Sequence, residues 1–165
     1  MLSKTIHQAF NNQIKDELES AYLYLAMSSY CNAESFFSFS KWLRLQAQEE
    51  LGHGMRLFDY VHHRGGQVSL QAIEEPKARF TDLLELFKMV LAHEQKVTER
   101  IHKLYELTLK ENDYASQIEL QWFITEQVEE EQTASTIVEQ LSRISDNKAA
   151  LLMMDREMAA RTTAA

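Results

Sequence analysis

Apolar residues return every three or four positions along four long stretches of the chain, the spacing of a helix with one buried face. The first stretch runs from about Thr5 to Asn32, with Ile6, Phe10, Ile14, Ala21 and Tyr24 in phase. The second runs from about Phe36 to Arg64 through Leu43, Ala47, Leu57 and Val61, and Gly65-Gly66 supplies its stop signal. The third opens near Thr81, a favourable N-cap, and carries Phe87, Val90, Leu91, Val97, Ile101 and Leu104. "KENDY" interrupts the pattern near residue 112, and Leu120, Phe123, Ile124, Ala134, Ile137, Val138 and Leu141 line the fourth. A shorter segment, "KAALLMMDREMAA", follows Asp146-Asn147. Four helices already close a core, so its leucines and methionines are expected to meet other subunits.

The long irregular piece "GGQVSLQAIEEPKARF" between the second and third stretches decides the topology. Helices of about 28 residues are roughly 42 Å long, at 1.5 Å per residue. The connection, extended, reaches at most roughly 53 Å. It can therefore travel the length of the bundle and leave helices two and three parallel. The expected fold is all-α: a four-helix bundle with one long crossover, plus a short fifth helix. One domain covers residues 1–165, the bundle about 5–142 and the last helix about 148–160. Four glycines and a single proline agree with a chain that is helical nearly throughout.

Charge and cysteine usage remove several classes of function. A formal net charge of −8 is wrong for general nucleic-acid binding. The lone Cys31 can build neither a disulfide framework nor a cysteine-rich metal site. The opening residues lack the apolar core of a signal peptide, and no run suits a membrane span. A soluble cytoplasmic protein is expected.

The informative defects lie inside the apolar stripes. Each of the four stripes carries a carboxylate: Glu17, Glu50, Glu94 and Glu130, the last joined by Gln127 one turn earlier. A lone buried carboxylate is costly unless paired or bound to metal. Four at a common depth would repel strongly, whereas two divalent cations neutralise them. His53, three residues after Glu50 on the same face, adds a nitrogen donor. Carboxylate-rich coordination with one imidazole suits iron or manganese better than structural zinc. The remaining histidines, His7, His62, His63, His93 and His102, have no acid in their stripe and are assigned to surface or packing. Gly52 and Gly54 weaken the second helix beside these acids by roughly 1 kcal/mol each.

On Glu17 with Tyr24 seven residues on, "AQEELGH" with Glu49, Glu50 and His53, Glu94 in "LAHEQ", and "LQWFITEQVEEE", the chain resembles the prokaryotic non-haem ferritins over essentially its whole length. The resemblance implies a ferroxidase centre in which Glu17, Glu50 and His53 bind one iron. Glu50 would bridge to a second iron completed by Glu94 and Glu130, with Gln127 close by. It further implies an auxiliary iron at Glu49, Glu126, Glu129 and Glu130, and makes Tyr24 and Trp122 electron donors. The implied activity is oxidation of Fe(II) by dioxygen or hydrogen peroxide, with storage as an Fe(III) oxide mineral inside a shell of 24 subunits.

Departures from related families narrow the expectation. Gln127-x-x-Glu130 stands where bacterioferritins carry a second Glu-x-x-His, which favours releasing oxidised iron over keeping a permanent di-iron cofactor. Gly52 falls near the haem-binding methionine of bacterioferritins, so no haem is expected. The alternatives are a di-iron oxidase or peroxide-detoxifying bundle without mineral storage, and a structural helical protein whose acids face solvent. An oxidase of organic substrates would need an open apolar pocket beside its metals.

Overall fold

A computed structural model describes residues 1–76 and 79–160. Lys77 and Ala78 of the expected crossover, and residues 161–165 of the expected domain, lie outside the described residues. The described residues form five helices: α1 (Lys4–Ala33), α2 (Phe37–His63), α3 (Leu83–Lys110), α4 (Tyr114–Ile144) and α5 (Lys148–Met158). None is long and apolar enough to cross a membrane.

Local side-chain chemistry sets most of the helix ends. Ser3, Asp113 and Asn147 each accept from the backbone N–H three residues on, capping α1, α4 and α5. Positive φ at Ser35, Gly65 and Asn112 turns the chain out of α1, α2 and α3. At the start of α3 the cap is Asp82 and not the expected Thr81. The Asp82 carboxylate accepts from Glu85 N at 2.7 Å, while Glu85 reaches back to the backbone N–H and hydroxyl of Thr81. Thr81 is thus already engaged as a donor, and the stronger acceptor takes the cap.

The crossover lies along α1. His7 Nε2 lies 2.8 Å from Gln67 O, and the side chains of Asn11 and Asn12 bond Ser69 N and Gln71. Towards the other end of α1, Tyr30 packs edge-on against Phe80 with ring centroids 5.3 Å apart. The strap has by then run from near the start of α1 to near its end. Consequently α2 and α3 begin at the same end of the bundle, where Phe39 and Trp42 meet Phe87 at 5.4 and 5.5 Å. Helices α2 and α3 are parallel, as the connection length allows.

The core has two apolar clusters. One gathers Tyr24, Met27, Phe39, Trp42, Leu43, Phe87, Val90, Ile137 and Leu141; the other gathers Phe10, Ile14, Leu57, Val61, Val97, Ile101, Leu120 and Phe123. In chain order, every long helix passes from one cluster to the other across a short polar interval.

Helix α5 does not stand apart from this bundle. Met154 is buried in the first cluster, and Asp155 Oδ1 accepts from Ser38 N and Phe39 N at 3.1 and 3.0 Å. Phe36, at the N-cap of α2, has no side chain able to do this, so α5 supplies the missing acceptor across the fold. Leu152 and Met153 remain exposed on the other side of α5. Asp155→Ala is therefore expected to lower stability by about 1–2 kcal/mol, the range for losing a helix cap. Limited proteolysis should show α5 released early, and chemical denaturation gives the energy. An unchanged denaturation midpoint would mean that solvent caps α2 equally well.

Candidate metal centre

The polar interval between the two clusters holds the acids found in the stripes. Glu17, Glu50, His53, Glu94, Gln127 and Glu130 are all buried. On α1 Glu17 follows Ile14 of one cluster and precedes Tyr24 of the other. Glu50 and His53 separate Ala47 from Leu57 on α2, Glu94 separates Val90 from Val97 on α3, and Gln127 and Glu130 separate Phe123 from Ala134 on α4. One helical phase per strand of the bundle thus brings them to one level.

Glu17, Glu50 and His53 each present a donor atom within 4.8 Å of the others. His53 Nδ1 lies 3.4 Å from Glu50 Oε2. Glu17 Oε1 accepts from Gln13 Nε2 at 2.8 Å. The second oxygens, Glu17 Oε2 and Glu50 Oε2, are enclosed and receive no hydrogen bond. A buried acceptor left in that state is costly, and a cation between them removes the cost. A Cβ at Gly54 would come into ordinary contact with the Glu17 Cβ at 3.4 Å, so the site lies close against α1 without excluding a small side chain. No atom lies within 4 Å of a Cβ placed at Gly52, and nothing in the structure explains that glycine.

Glu94 sits in a different arrangement. Its Oε1 accepts from the hydroxyl of Tyr24, which is fully buried, and its Oε2 accepts from Gln127 Nε2 at 3.1 Å. Gln127 also reaches Glu94 O and Thr98 Oγ1, and the Thr98 hydroxyl in turn donates to Glu131 at 2.5 Å. Gln127 therefore turns its amide N–H₂ towards the carboxylate. A groove of about 390 Å³ between α3 and α4 is lined by Thr98, His102, Gln127 and Glu131 among others.

Electrostatics follow from this packing. Burial, followed by the charge of Glu50, holds the Glu17 carboxyl well above the usual range. Burial and then Glu94 do the same to Glu50. Glu94 is also raised by burial, against the opposing hydrogen bonds from Tyr24 and Gln127. The Tyr24 phenol is pushed up by burial and by the Glu94 charge.

The outer acids are placed differently. Glu49 and Glu126 are half-buried and Glu129 is exposed, each on a flank beside an inner acid. His93, assigned from sequence to surface or packing, has burial first and then Arg100 pulling its imidazole down to about 4. Its Nε2 lies 2.8 Å from Ser20 Oγ, and its ring meets Tyr24 edge-on. Gln13 was not anticipated. Its position one turn before Glu17 was the available signal.

The chain resembles known proteins along nearly all of its length. A Ferritin-like domain model matches residues 7–144. A bacterial non-heme ferritin of Staphylococcus epidermidis is 42% identical over 162 residues, 98% of each chain, and one of Staphylococcus aureus is 40% identical over the same span. Among solved structures, an open-pore ferritin of Archaeoglobus fulgidus is 46% identical with a TM-score of 0.97, covering 98% of this chain and 99% of its own. A humanized archaeal ferritin matches with a TM-score of 0.98 at 44% identity, covering both chains completely.

The raised carboxyls give the metal-free protein a defined pH response. A carboxyl whose folded pKa exceeds its unfolded value binds more protons when folded. Its stabilising contribution is then present below the ordinary carboxylate range and is lost as pH rises through the raised value. Metal-free protein should accordingly lose stability between weakly acidic and neutral pH. Glu17→Gln should flatten this profile and raise the melting temperature at neutral pH, since the bond from Gln13 to the retained carbonyl oxygen can persist. The variant should also gain less from added divalent cation. Thermal unfolding of chelator-treated protein across pH measures both effects, and identical profiles for variant and wild type would remove the buried-charge account.

Proposed function

The chain belongs to the ferritin family, and from that premise we propose that its buried centre oxidises Fe(II) and passes Fe(III) to a mineral stored in a shell of 24 subunits. The observation that carries this reading is the set of enclosed Glu17 and Glu50 oxygens, without hydrogen bonds, beside His53 between two apolar clusters. Glu17, Glu50 and His53 take one Fe(II). Glu50 bridges to a second, which Glu94 and Glu130 complete, with Gln127 orienting Glu94. The working environment is the cytoplasm.

The arrangement suits oxidation for two reasons. Two Fe(II) sharing a carboxylate can each give one electron to dioxygen or hydrogen peroxide. Hard carboxylate oxygens then favour the Fe(III) product over the Fe(II) substrate. With one imidazole in the set, the product is not held by a strongly basic nitrogen shell. The half-buried and exposed acids Glu49, Glu126 and Glu129 continue the carboxylates outward, hold an auxiliary iron and lead the product away. An oxidase of organic substrates is less well supported. An open apolar groove of about 530 Å³ against α1 and α2 is lined by Leu18, Tyr22, Leu25, Leu51 and Ile73 and by none of the inner acids.

Anaerobic titration should saturate at two Fe(II) per subunit before oxygen is admitted. Stopped-flow absorbance should then show rapid Fe(III) formation, and particle sizing should show an iron-filled shell. His53→Ala is expected to slow oxidation by about tenfold or more, because the only nitrogen donor is gone. Wild-type kinetics in that variant would exclude His53 as a ligand. Glu50→Ala should abolish fast oxidation. Glu49→Ala and Glu129→Ala should keep it but change the Fe(II) oxidised per dioxygen, measured by oxygen uptake. If Glu49→Ala proved as inactive as Glu50→Ala, inner and outer acids would form one site.

A further inference from the structure

Two readily oxidised aromatic rings, Tyr24 and Trp122, flank the centre, and the structure treats them oppositely. Tyr24 has its hydroxyl on a carboxylate oxygen of Glu94. Trp122 lies edge-on to His53 with ring centroids 5.3 Å apart, and its face is covered by a cation: Arg56 Cζ stands 4.2 Å from the indole centroid. Glu119 holds that guanidinium in place, accepting from Arg56 Nε at 2.5 Å. The arrangement follows from helical spacing. His53 and Arg56 are one turn apart on α2, Glu119 and Trp122 one turn apart on α4, and the two pairs face each other.

We propose that Arg56 biases the redox chemistry of the centre by keeping the Trp122 indole reduced, so that an electron drawn from protein comes from Tyr24 instead. The proposal rests on the oxidising role assigned above. An indole that gives one electron to dioxygen, or to a partly reduced oxygen species, leaves a positive charge on its ring. That charge would form beside the guanidinium, and the attraction between cation and neutral ring would turn into repulsion. Tyr24 meets no such obstacle. Its electron passes to the same oxidant while its phenolic proton passes to the Glu94 carboxylate, and the ring stays neutral. Arg56 touches neither substrate nor oxidant; it is a positioning residue that acts through the indole.

Two variants separate charge from shielding. Arg56→Met keeps a long side chain over the ring without its charge, and Arg56→Lys restores the charge. Metal-free assembled protein is exposed to a photogenerated one-electron oxidant, tris(bipyridine)ruthenium(III), and oxidation products at Trp122 are counted relative to those at Trp42 by peptide mass spectrometry. Arg56→Met should raise that ratio by about tenfold, while Arg56→Lys should stay within about twofold of wild type. In a second arm, Fe(II)-loaded protein is mixed with dioxygen and freeze-quenched. Ring-deuterated tyrosine or tryptophan then identifies the radical, which should be tyrosyl in wild type and partly tryptophan-derived in Arg56→Met. Equal ratios in wild type and Arg56→Met would overturn the proposal, as would Arg56→Lys matching Arg56→Met or a tryptophan radical predominating in wild type. The metal-free arm reads the effect of the cation whether or not the centre oxidises iron. A failure of the oxidising role, seen as absent Fe(III) formation in every protein, is therefore distinguishable from a failure of the Arg56 proposal.

Discussion

Mutual repulsion among carboxylates held in one dry layer is the constraint around which the rest of this molecule is arranged. Glu17, Glu50, Glu94 and Glu130 come from four different helices, and apolar clusters close the layer on both sides. Water cannot relieve the charges there, so protons or cations must. The enclosed oxygens of Glu17 and Glu50 mark where that relief is incomplete in protein alone. A core of this kind would be more stable with leucine at these positions, yet the chain keeps acids there.

The fold serves that layer in specific ways. The crossover lies along α1, tied by His7, Asn11 and Asn12, and makes α2 and α3 parallel. This orientation puts Glu50 and Glu94 at one depth although they lie on helices separated by a long connection. At one end of the bundle, Asp155 from α5 caps α2, the helix that carries both Glu50 and His53. The outermost helix is thereby bonded to the element whose position matters most to the centre.

The surroundings of the layer divide labour among chemically similar groups. Gln127 and Tyr24 satisfy Glu94, while Glu17 and Glu50 each keep one enclosed oxygen without a hydrogen bond. The acids grade from buried Glu50 and Glu130 through half-buried Glu49 and Glu126 to exposed Glu129. That gradient runs from low to high dielectric, so the charges are screened progressively more along it. The two aromatics differ as sharply, one hydrogen-bonded to a carboxylate and the other lying under a guanidinium.

Periodicity alone was enough for four helices, the crossover and the inner acids, because a helix of fixed pitch converts spacing into a face. Glu50 and His53 had to share a side of α2 whatever surrounded them, and the connection had only to be long enough to span the bundle. What periodicity could not reach were contacts between residues distant in sequence. Asp155 as a cap for α2 joins residues 116 and 117 positions apart. Asp82 displaced Thr81 through competition for one backbone N–H that spacing does not weigh. The Ser20–His93 pair and the Arg56–Trp122 stack likewise depend on how neighbouring helices rotate and slide against each other. One-dimensional pattern determines which residues share a face; side-chain packing between helices decides which of those residues meet.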